Sequence, residues 1–470
     1  MSTSPSENAL AVEQRGIEHI DEQQRHGNPR NQFSIRFSPV IYLAPIVVGG
    51  TAIPMGLGLT GSITAIVLGN LLGAICTGVC AAMGPRLGMP QLTMGRAAFG
   101  YHGNYLPAIL SLLLYIGYFT VGTILGAQSI AELVGAPYVP VVVIVAAVST
   151  LIAVYGYDLL HLLGRWITWI SFVVLAAVTV ATFAHGTGSG AASTLSGANY
   201  WLAWLVEFTV VFGYTMSWAP YASDYSRYLP VTTSQLKTFG WCTGGLFAAT
   251  TWMMVLGAVV LTVTPHGETL DAFGIVLPGP LLKIALVLFG VSALPHNAVN
   301  IYSNAMTSLT WGLPLRRSLA VIAGGLIGFV LALLFGGPNF VTNFEAFLFL
   351  VTYYVTPWLA VLVIDFYWLR KRGRGYGSIE NFYKPQGPFK GINWAGFLAF
   401  IVGLAVSVPF MATNLYTGPI GHALGGADLS YFVSFVVASV LYALLARRNA
   451  TVDRNADLVH RHAETDRDGS

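Results

Sequence analysis

Runs of about 20 predominantly apolar residues follow one another along most of this chain. A helix of that length crosses the roughly 30 Å hydrocarbon core of a bilayer, where only helices and closed barrels satisfy their own backbone hydrogen bonds. With 9% charged side chains, the chain lies far below the roughly 25% typical of soluble domains. We therefore predict an all-α integral membrane protein with about twelve transmembrane helices, near residues 39–60, 62–83, 105–133, 138–156, 166–184, 201–222, 240–263, 279–304, 318–336, 343–366, 393–413 and 429–446.

Basic residues concentrate in alternate loops between the predicted spans. If the N-terminus is cytoplasmic, Lys283 falls on the outer half and the other loop cations fall inside. Cytoplasmic loops retain an excess of Lys and Arg, so we predict a multi-pass protein of the plasma (inner) membrane with both termini in the cytoplasm. The inner cations are Arg86, Arg96, Arg165, Arg227, Lys237, Arg316, Arg317, a cluster in 370–390 and the C-terminal tail.

The span positions divide the chain into five regions. They are a cytoplasmic tail (1–36), a ten-helix transport core (37–366), a cytoplasmic loop (367–392), two additional transmembrane helices (393–446) and a second cytoplasmic tail (447–470). No soluble catalytic domain fits between the spans, and the phosphate-loop, zinc-ligand and nucleophile-elbow motifs are absent from the sequence. We predict a protein that is not an enzyme, needs no cofactor or metal, binds no nucleic acid and draws its energy from a gradient.

Two of the predicted spans carry helix-breaking residues in their middle. The first contains Gly49, Gly50 and Pro54, and the sixth contains Phe212-Gly213-Tyr214 followed by Pro220. Matched discontinuous helices 1 and 6 are typical of transporters built from two inverted five-helix repeats, in which the freed backbone faces a substrate at the midplane. Alternatively, the glycines and prolines only permit close helix packing.

The eighth predicted span is the richest in polar side chains. His296, Asn300 and Ser303 share one helical face, with Asn297 beside them. Polar residues within the membrane indicate function, and an amide offers a donor together with an acceptor, which matches the edge of a nucleobase. The alternative is that these groups only bind neighbouring helices.

Aromatic residues recur at helical spacing in the third and sixth spans. Tyr118 lies one turn before Gly122, and Tyr214 one turn before Trp218. Such rings could sandwich a flat heterocycle, although aromatic stripes also occur in ordinary packing. In the same sixth span, Glu207 is a candidate proton site because burial disfavours a charged carboxylate. Its alternative is to reach the outer interface.

Several motifs resemble the purine-cytosine permease branch of the nucleobase:cation symporter family. They are Ile17-Glu18-His19-Ile20-Asp21-Glu22-Gln23-Gln24-Arg25-His26-Gly27, Gly84-Pro85-Arg86-Leu87-Gly88-Met89-Pro90-Gln91 with Gly95-Arg96-Ala97-Ala98-Phe99-Gly100, and Ser217-Trp218-Ala219-Pro220-Tyr221-Ala222-Ser223-Asp224-Tyr225-Ser226-Arg227-Tyr228. The resemblance implies two inverted five-helix repeats plus two extra helices, and import of nucleobases with a cation.

The resemblance also implies where the substrate is bound. The eighth-helix asparagine of the family falls on Asn300, the polar position one turn earlier on His296, and the third-helix aromatic on Tyr118. Together with the broken helices and the polar stripe, it gives the candidate substrate-binding residues Gly49, Gly50, Tyr118, Gly122, Phe212, Gly213, Tyr214, Trp218, His296, Asn297 and Asn300.

Some positions depart from the family pattern. Sodium-coupled members carry small hydroxyl residues in the eighth helix where this chain has Leu294-Pro295, so protons are favoured over sodium. Arg36 and Val40 stand where the branch often has Trp and Asn. The predicted function is proton-coupled import of a base, cytosine first. The alternatives are sodium coupling, another small heterocycle such as a hydantoin, allantoin or a vitamin precursor, and an uncoupled channel or facilitator.

Asp224 and Arg227 lie three residues apart at the inner end of the sixth span, where they can touch on one helix face. We predict that Asp224 pairs with Arg227, or with Arg86 or Arg96, and latches an inner gate. The alternative is a plain interfacial charge pair.

Overall fold

The computed structural model describes residues 17–155, 157–311, 316–413 and 416–446. Over these residues the chain is helical, and the one β-feature is an isolated bridge between Ala412 and Thr417. The prediction of an all-α membrane protein is confirmed. In the described ranges nine helices are long and apolar enough to cross a membrane, a bent pair forms a tenth candidate, and shorter apolar helices cover 394–410 and 430–446.

The helices are numbered here in chain order. They are α1 (Asn31–Phe37), α2 (Leu43–Gly49), α3 (Gly58–Ala81), α4 (Gly84–Leu87), α5 (Gln91–Phe99), α6 (Tyr105–Val134), α7 (Tyr138–Tyr155), α8 (Tyr157–His185), α9 (Gly197–Met216), α10 (Ala222–Ser226), α11 (Gln235–Leu261), α12 (Thr269–Val276), α13 (Gly279–Leu309), α14 (Arg317–Phe335), α15 (Phe340–Val363), α16 (Trp394–Ser407), α17 (Pro419–Ala423) and α18 (Ser430–Ala446).

The first span is broken, but earlier than its glycines predict. A 3-10 turn at Ser38–Val40 ends the α1 segment, and α2 leaves at 75° to it after Tyr42, whose backbone is extended. Proline has no backbone N–H to continue a helical hydrogen-bond ladder, so Pro39 helps to end the first segment. The span also begins at Asn31, inside the region predicted to be a tail.

Gly49 and Gly50 pack against a neighbouring helix instead of marking the break. A Cβ atom on Gly49 would lie 1.9 Å from the carbonyl oxygen of Met254, and one on Gly50 would lie 2.1 Å from a methyl carbon of Leu261. Both partners belong to α11. For this pair the close-packing interpretation is correct, and the chain turns into α3 only after them.

The sixth span is interrupted within its predicted segment. The α9 helix runs through Phe212-Gly213-Tyr214 and ends at Met216, and a 3-10 turn at Ala219–Tyr221 precedes α10. Gly213 therefore stays helical, where a Cβ would lie 2.2 Å from the hydroxyl of Thr352 in α15.

Packing divides most of the long helices into two groups. The first contains α1, α2, α3, α9 and α11, and the second contains α6, α7, α13 and α14. The α2 helix contacts α6, so the break in the first span lies where the two groups meet. The candidate functional site lies at this junction.

Two buried aspartates connect α15 to the last helix and its flanking loops. Asp365, in a π-helical turn after α15, accepts hydrogen bonds from the hydroxyls of Tyr376 and Tyr442, each at 2.7 Å. In the middle of α15, the hydroxyl of Tyr353 donates to Asp428. These bonds satisfy carboxyl groups that would otherwise be costly to bury.

Candidate functional site

Four aromatic side chains from separate segments meet at the junction of the two groups. His296 of α13 stacks on Tyr42, with 4.0 Å between ring centroids, at the break of the first span. The edges of Trp218 and Tyr118 complete the group, with centroids 6.1 and 6.5 Å from that of His296. We call Tyr42, Tyr118, Trp218 and His296 the ring cluster. Three of its members were predicted from the sequence. Tyr42 was not, because it lies at a break that the glycine pattern placed later in the span.

His296 is hydrogen-bonded to the backbone at the break of the first span. Its Nδ1 lies 3.1 Å from the carbonyl oxygen of Pro39. A carbonyl only accepts, so Nδ1 carries the hydrogen in this contact. The other ring nitrogen, Nε2, is buried and has no hydrogen-bond partner among the described residues. This chain therefore holds a bare imidazole acceptor at the centre of its membrane domain.

Tyr118 and Tyr214 join the ring cluster to the sixth span. The Tyr118 hydroxyl lies 2.7 Å from the hydroxyl of Ser217, in the turn that follows α9. Tyr214 meets Tyr118 edge to face and donates to the hydroxyl of Tyr42 at 3.4 Å. The rings therefore connect the two broken spans.

Asn300 lies one turn from His296 and is bonded across the junction. Its Oδ1 accepts from the hydroxyl of Tyr221 at 2.5 Å, and its Nδ2 donates to the carbonyl of His296 at 3.0 Å. An amide oxygen has a second lone pair and an amide nitrogen a second hydrogen. Asn300 can therefore bind a ligand without losing these partners.

The structure turns Asn297 away from this group. Its Nδ2 donates to the hydroxyls of Thr123 and Ser149, at 3.0 and 3.4 Å. Gly122 gives it room, because a Cβ there would lie 2.0 Å from Oδ1 of Asn297. Asn297 and Gly122 thus fit the helix-binding alternative, which sequence periodicity could not separate from the predicted substrate role.

Phe212 also lies outside the ring cluster. Its ring stacks on Phe208 and packs against Tyr431, with centroid distances of 6.1 and 5.4 Å. It therefore faces α18.

A cavity of ≈ 830 Å³ adjoins the ring cluster. Pro39 and His296 line it at the break, and it extends along α1, α8 and α10 to Phe33, Thr168 and Arg227. These last residues lie on the side of the molecule that carries the N-terminal segment. The volume lies within the roughly 300–1,000 Å³ of known ligand sites, which leaves room for a single heterocyclic base.

Glu207 is fully buried in α9 and does not reach an interface. Its Oε2 accepts from the backbone N–H of Ala52 at 2.9 Å, and its Oε1 is buried without a partner among the described residues. Ala52 lies in the turn after α2. Glu207 therefore links the first and sixth spans on the side of the break opposite the cavity.

The predicted pairing of Asp224 with an arginine is not formed in this structure. Asp224 instead accepts from the backbone N–H of Gln91 at 2.9 Å, at the start of α5. Helix N-termini present free N–H groups and a partial positive charge, which accounts for the preference. Arg227 donates to the carbonyl of Glu18 at 3.4 Å, and Arg96 donates to the carbonyls of Phe382 and Thr310.

Sequence reasoning noted Arg36 as a departure and did not foresee its role. Arg36 is fully buried, and its Nη2 donates to the carbonyls of Tyr221 and Ala222, at 3.2 and 2.6 Å. Those carbonyls lie at the break of the sixth span.

The N-terminal motif packs against the loop between α3 and α5. Arg25 donates to the carbonyls of Ile20 and Pro85, at 2.8 and 2.7 Å, and the backbone N–H of Ile20 bonds to Gly88. Burial, with the charge of Arg25 beside it, lowers the pKa of His19. The two motifs that carry the family resemblance on this side of the molecule therefore form one structural unit.

Comparison with solved structures identifies the architecture. The chain superposes on Mhp1, a nucleobase-cation-symport-1 family transporter solved in a closed conformation with bromovinylhydantoin bound, with a TM-score of 0.76 and 19% identity over 93% of this chain and 96% of that one. The chain therefore shares the fold of that transporter.

Sequence comparison identifies the family. Residues 19–434 match the family described as permease for cytosine/purines, uracil, thiamine, allantoin. YxlA, a candidate purine-cytosine permease of Bacillus subtilis, is 34% identical over 452 residues, which cover 93% of this chain and 96% of YxlA. The purine-cytosine permease fcyB of Emericella nidulans is 26% identical over 456 residues, covering 93% and 88%. The chain belongs to this nucleobase:cation symporter family, and its relatives are permeases, not enzymes.

Proposed function

We propose that this protein imports a purine or pyrimidine base, cytosine first, by proton symport through alternating access. The observation that carries the proposal is the ring cluster at the two broken spans, with the bare Nε2 of His296 at its centre. The relatives named as purine-cytosine permeases support the choice of substrate.

The chemistry of the site suits a flat heterocycle with a mixed polar edge. Aromatic faces attract a second ring beyond the contribution of buried area alone, and Tyr118 and Trp218 can supply such faces when they part. His296 offers an acceptor, and Asn300 offers both a donor and an acceptor. Unpaired polar groups in a buried site disfavour a ligand that lacks the matching edge by roughly 1–3 kcal/mol each.

Proton coupling is the favoured form of energy input. Leu294 and Pro295 offer no side-chain oxygen where sodium-coupled members have hydroxyls.

Gating follows from the contacts at the two ends of the broken spans. The cavity lies on the side of the N-terminal segment, which we assign to the cytoplasm of an inner-membrane protein with both termini inside. The Glu207 bond to Ala52 then closes the outer side. Asp224 and Arg227 border the cavity, and we assign them to the inner gate through α5 and the N-terminal segment. We retain the five predicted regions, except that the first span begins at Asn31, inside the predicted N-terminal tail.

Uptake in cells that lack their own base permeases tests the proposal. Radiolabelled cytosine should accumulate, adenine and related bases should compete, and accumulation should survive replacement of sodium by choline and collapse with a protonophore. Competition by a hydantoin, allantoin or a vitamin precursor alone would reassign the substrate. Equilibration without accumulation would identify a facilitator, and a strict sodium requirement would overturn proton coupling.

A further inference from the structure

The contact between His296 and Pro39 joins the two groups of helices through a group that can take a proton. We propose that Nε2 of His296 is the site of the coupling proton, and that this proton and the base share one hydrogen bond. This inference rests on the proposed proton-coupled base transport and specifies where that proton resides.

The geometry fixes which nitrogen is available. Because the carbonyl of Pro39 occupies Nδ1 as a donor, the neutral ring presents its lone pair at Nε2. A buried polar atom without a partner is unusual in a native structure and calls for an explanation. Here a proton from solution forms an N–H bond at Nε2 and leaves an imidazolium, with no other bond made or broken.

The surroundings can stabilise that cation. The face of the Tyr42 ring lies 4.0 Å from the imidazole, and aromatic faces attract cations within about 6 Å. The carbonyl oxygen of Pro39, which lies at the end of the first half of the span, adds the negative end of its dipole beside the ring. The imidazole ring also borders the cavity, which gives the proton a route out.

Other titratable groups face His296 from the packed elements. Tyr42 and Tyr118 are in ring contact with it. Further titratable side chains line the same cavity: Asp224, Tyr225, Arg227 and Tyr228 from the sixth span, and Tyr302 from its own helix. Tyrosines ionise near pH 10. Asp224 and Arg227 are engaged at Gln91 and Glu18, whereas Nε2 of His296 has no hydrogen-bond partner among the described residues.

Coupling follows from the missing partner. In the cluster as it stands, a protonated Nε2 would carry a buried N–H with no acceptor, which is costly. A base that supplies a ring nitrogen or carbonyl oxygen there satisfies the N–H, and the N–H satisfies the base. Each ligand therefore favours binding of the other, and such coupling is reciprocal.

The Pro39 contact links this site to alternating access. Pro39 belongs to the first group of helices and His296 to the second. Movement of one group against the other would separate the carbonyl from Nδ1 and remove support for the imidazolium. The proton would then be released in the conformation that parts the two groups.

The test uses full-length protein in liposomes containing a pH-sensitive dye, with membrane potential clamped by potassium and valinomycin. For the parent, external cytosine should drive proton influx, and the cytosine KM should rise by up to tenfold per pH unit above the protonation range. In His296→Gln, which keeps a neutral polar side chain, the cytosine counterflow that remains should occur without base-driven proton influx and with a KM that no longer depends on pH. His422→Gln, on the exposed α17, is the matched control and should match the parent.

Tyr42→Leu provides a second variant if His296→Gln does not fold. Loss of the ring face should move the midpoint of the KM–pH profile down by about half a unit, with proton influx retained. An unmoved midpoint would contradict the inference, as would proton influx with unchanged pH dependence in His296→Gln. Absence of cytosine counterflow in the parent would instead refute the proposed function, and parent counterflow without proton influx would refute proton coupling and this site together.

Discussion

Two asparagines one turn apart on α13 allow the substrate site to be separated from helix packing. Asn300 faces the broken sixth span, and Asn297 faces Thr123 and Ser149. Both side chains are buried and both make two hydrogen bonds. We predict that Asn300→Ala abolishes most base uptake and that Asn297→Ala, the matched control, does not.

The expected magnitudes come from the bonds removed. Asn300→Ala leaves the hydroxyl of Tyr221, a residue with 2% exposure, without its acceptor, which costs roughly 1–3 kcal/mol of stability. Asn297→Ala removes the amide donor to the hydroxyls of Thr123 and Ser149. It should lower the free energy of unfolding by a similar amount. A lost ligand bond of about 1.4 kcal/mol corresponds to tenfold in affinity, so specific uptake should fall at least tenfold in Asn300→Ala alone.

The assay is initial-rate cytosine uptake normalised to folded protein, with thermal stability in detergent measured by size-exclusion. Similar stability losses with divergent uptake are expected. Equal loss of normalised uptake in both variants would show that the difference in side-chain direction has no functional meaning. Uptake by Asn300→Ala above half that of the parent would remove Asn300 from the site.

Three further predictions address the gates and the last helix. Glu207→Gln should retain at least half of uptake, because an amide oxygen can still accept from the backbone N–H of Ala52. Glu207→Ala should lose most of its uptake. Equal loss of uptake in both variants would show that the carboxyl proton itself is needed. Asp224→Ala should lower the free energy of unfolding by about 1 kcal/mol, as removal of a helix cap does, and Asp224→Asn by less; equal shifts in thermal melts would argue against the bond to Gln91. Tyr442→Phe should lower the free energy of unfolding by about 1–3 kcal/mol through loss of the bond to Asp365. The exposed Tyr416→Phe is the control and should change nothing. Equal melting temperatures for the two variants would contradict a stabilising role for the Tyr442 bond.

Apolar run length predicted the fold class, because the bilayer dictates both helix and length. The polar face of α13 was also predictable, since side-chain direction follows from helical period. His296 and Ser303 line the cavity as that period requires. The helical period does not show which helix packs against each face. It therefore could not distinguish the surroundings of Asn297 from those of Asn300.

The position of the first break shows a different limit. Glycine serves both helix breaks and close helix contacts, and the sequence favoured the Gly49-Gly50 pair, which packs on α11. The true break follows Pro39, where a short 3-10 turn ends the first segment. Asp224 shows the same limit, because its partner is the start of α5, which only the tertiary fold brings near.

Cytosine accumulation in sodium-free proteoliposomes under an imposed pH gradient tests the central claim most directly. With the outside acidic and the membrane potential clamped, the account predicts accumulation above the external concentration. The ratio should approach tenfold per unit of pH gradient for one proton per base, and should vanish when the gradient is dissipated. Equal internal and external concentrations at every gradient, with rapid counterflow intact, would contradict the account.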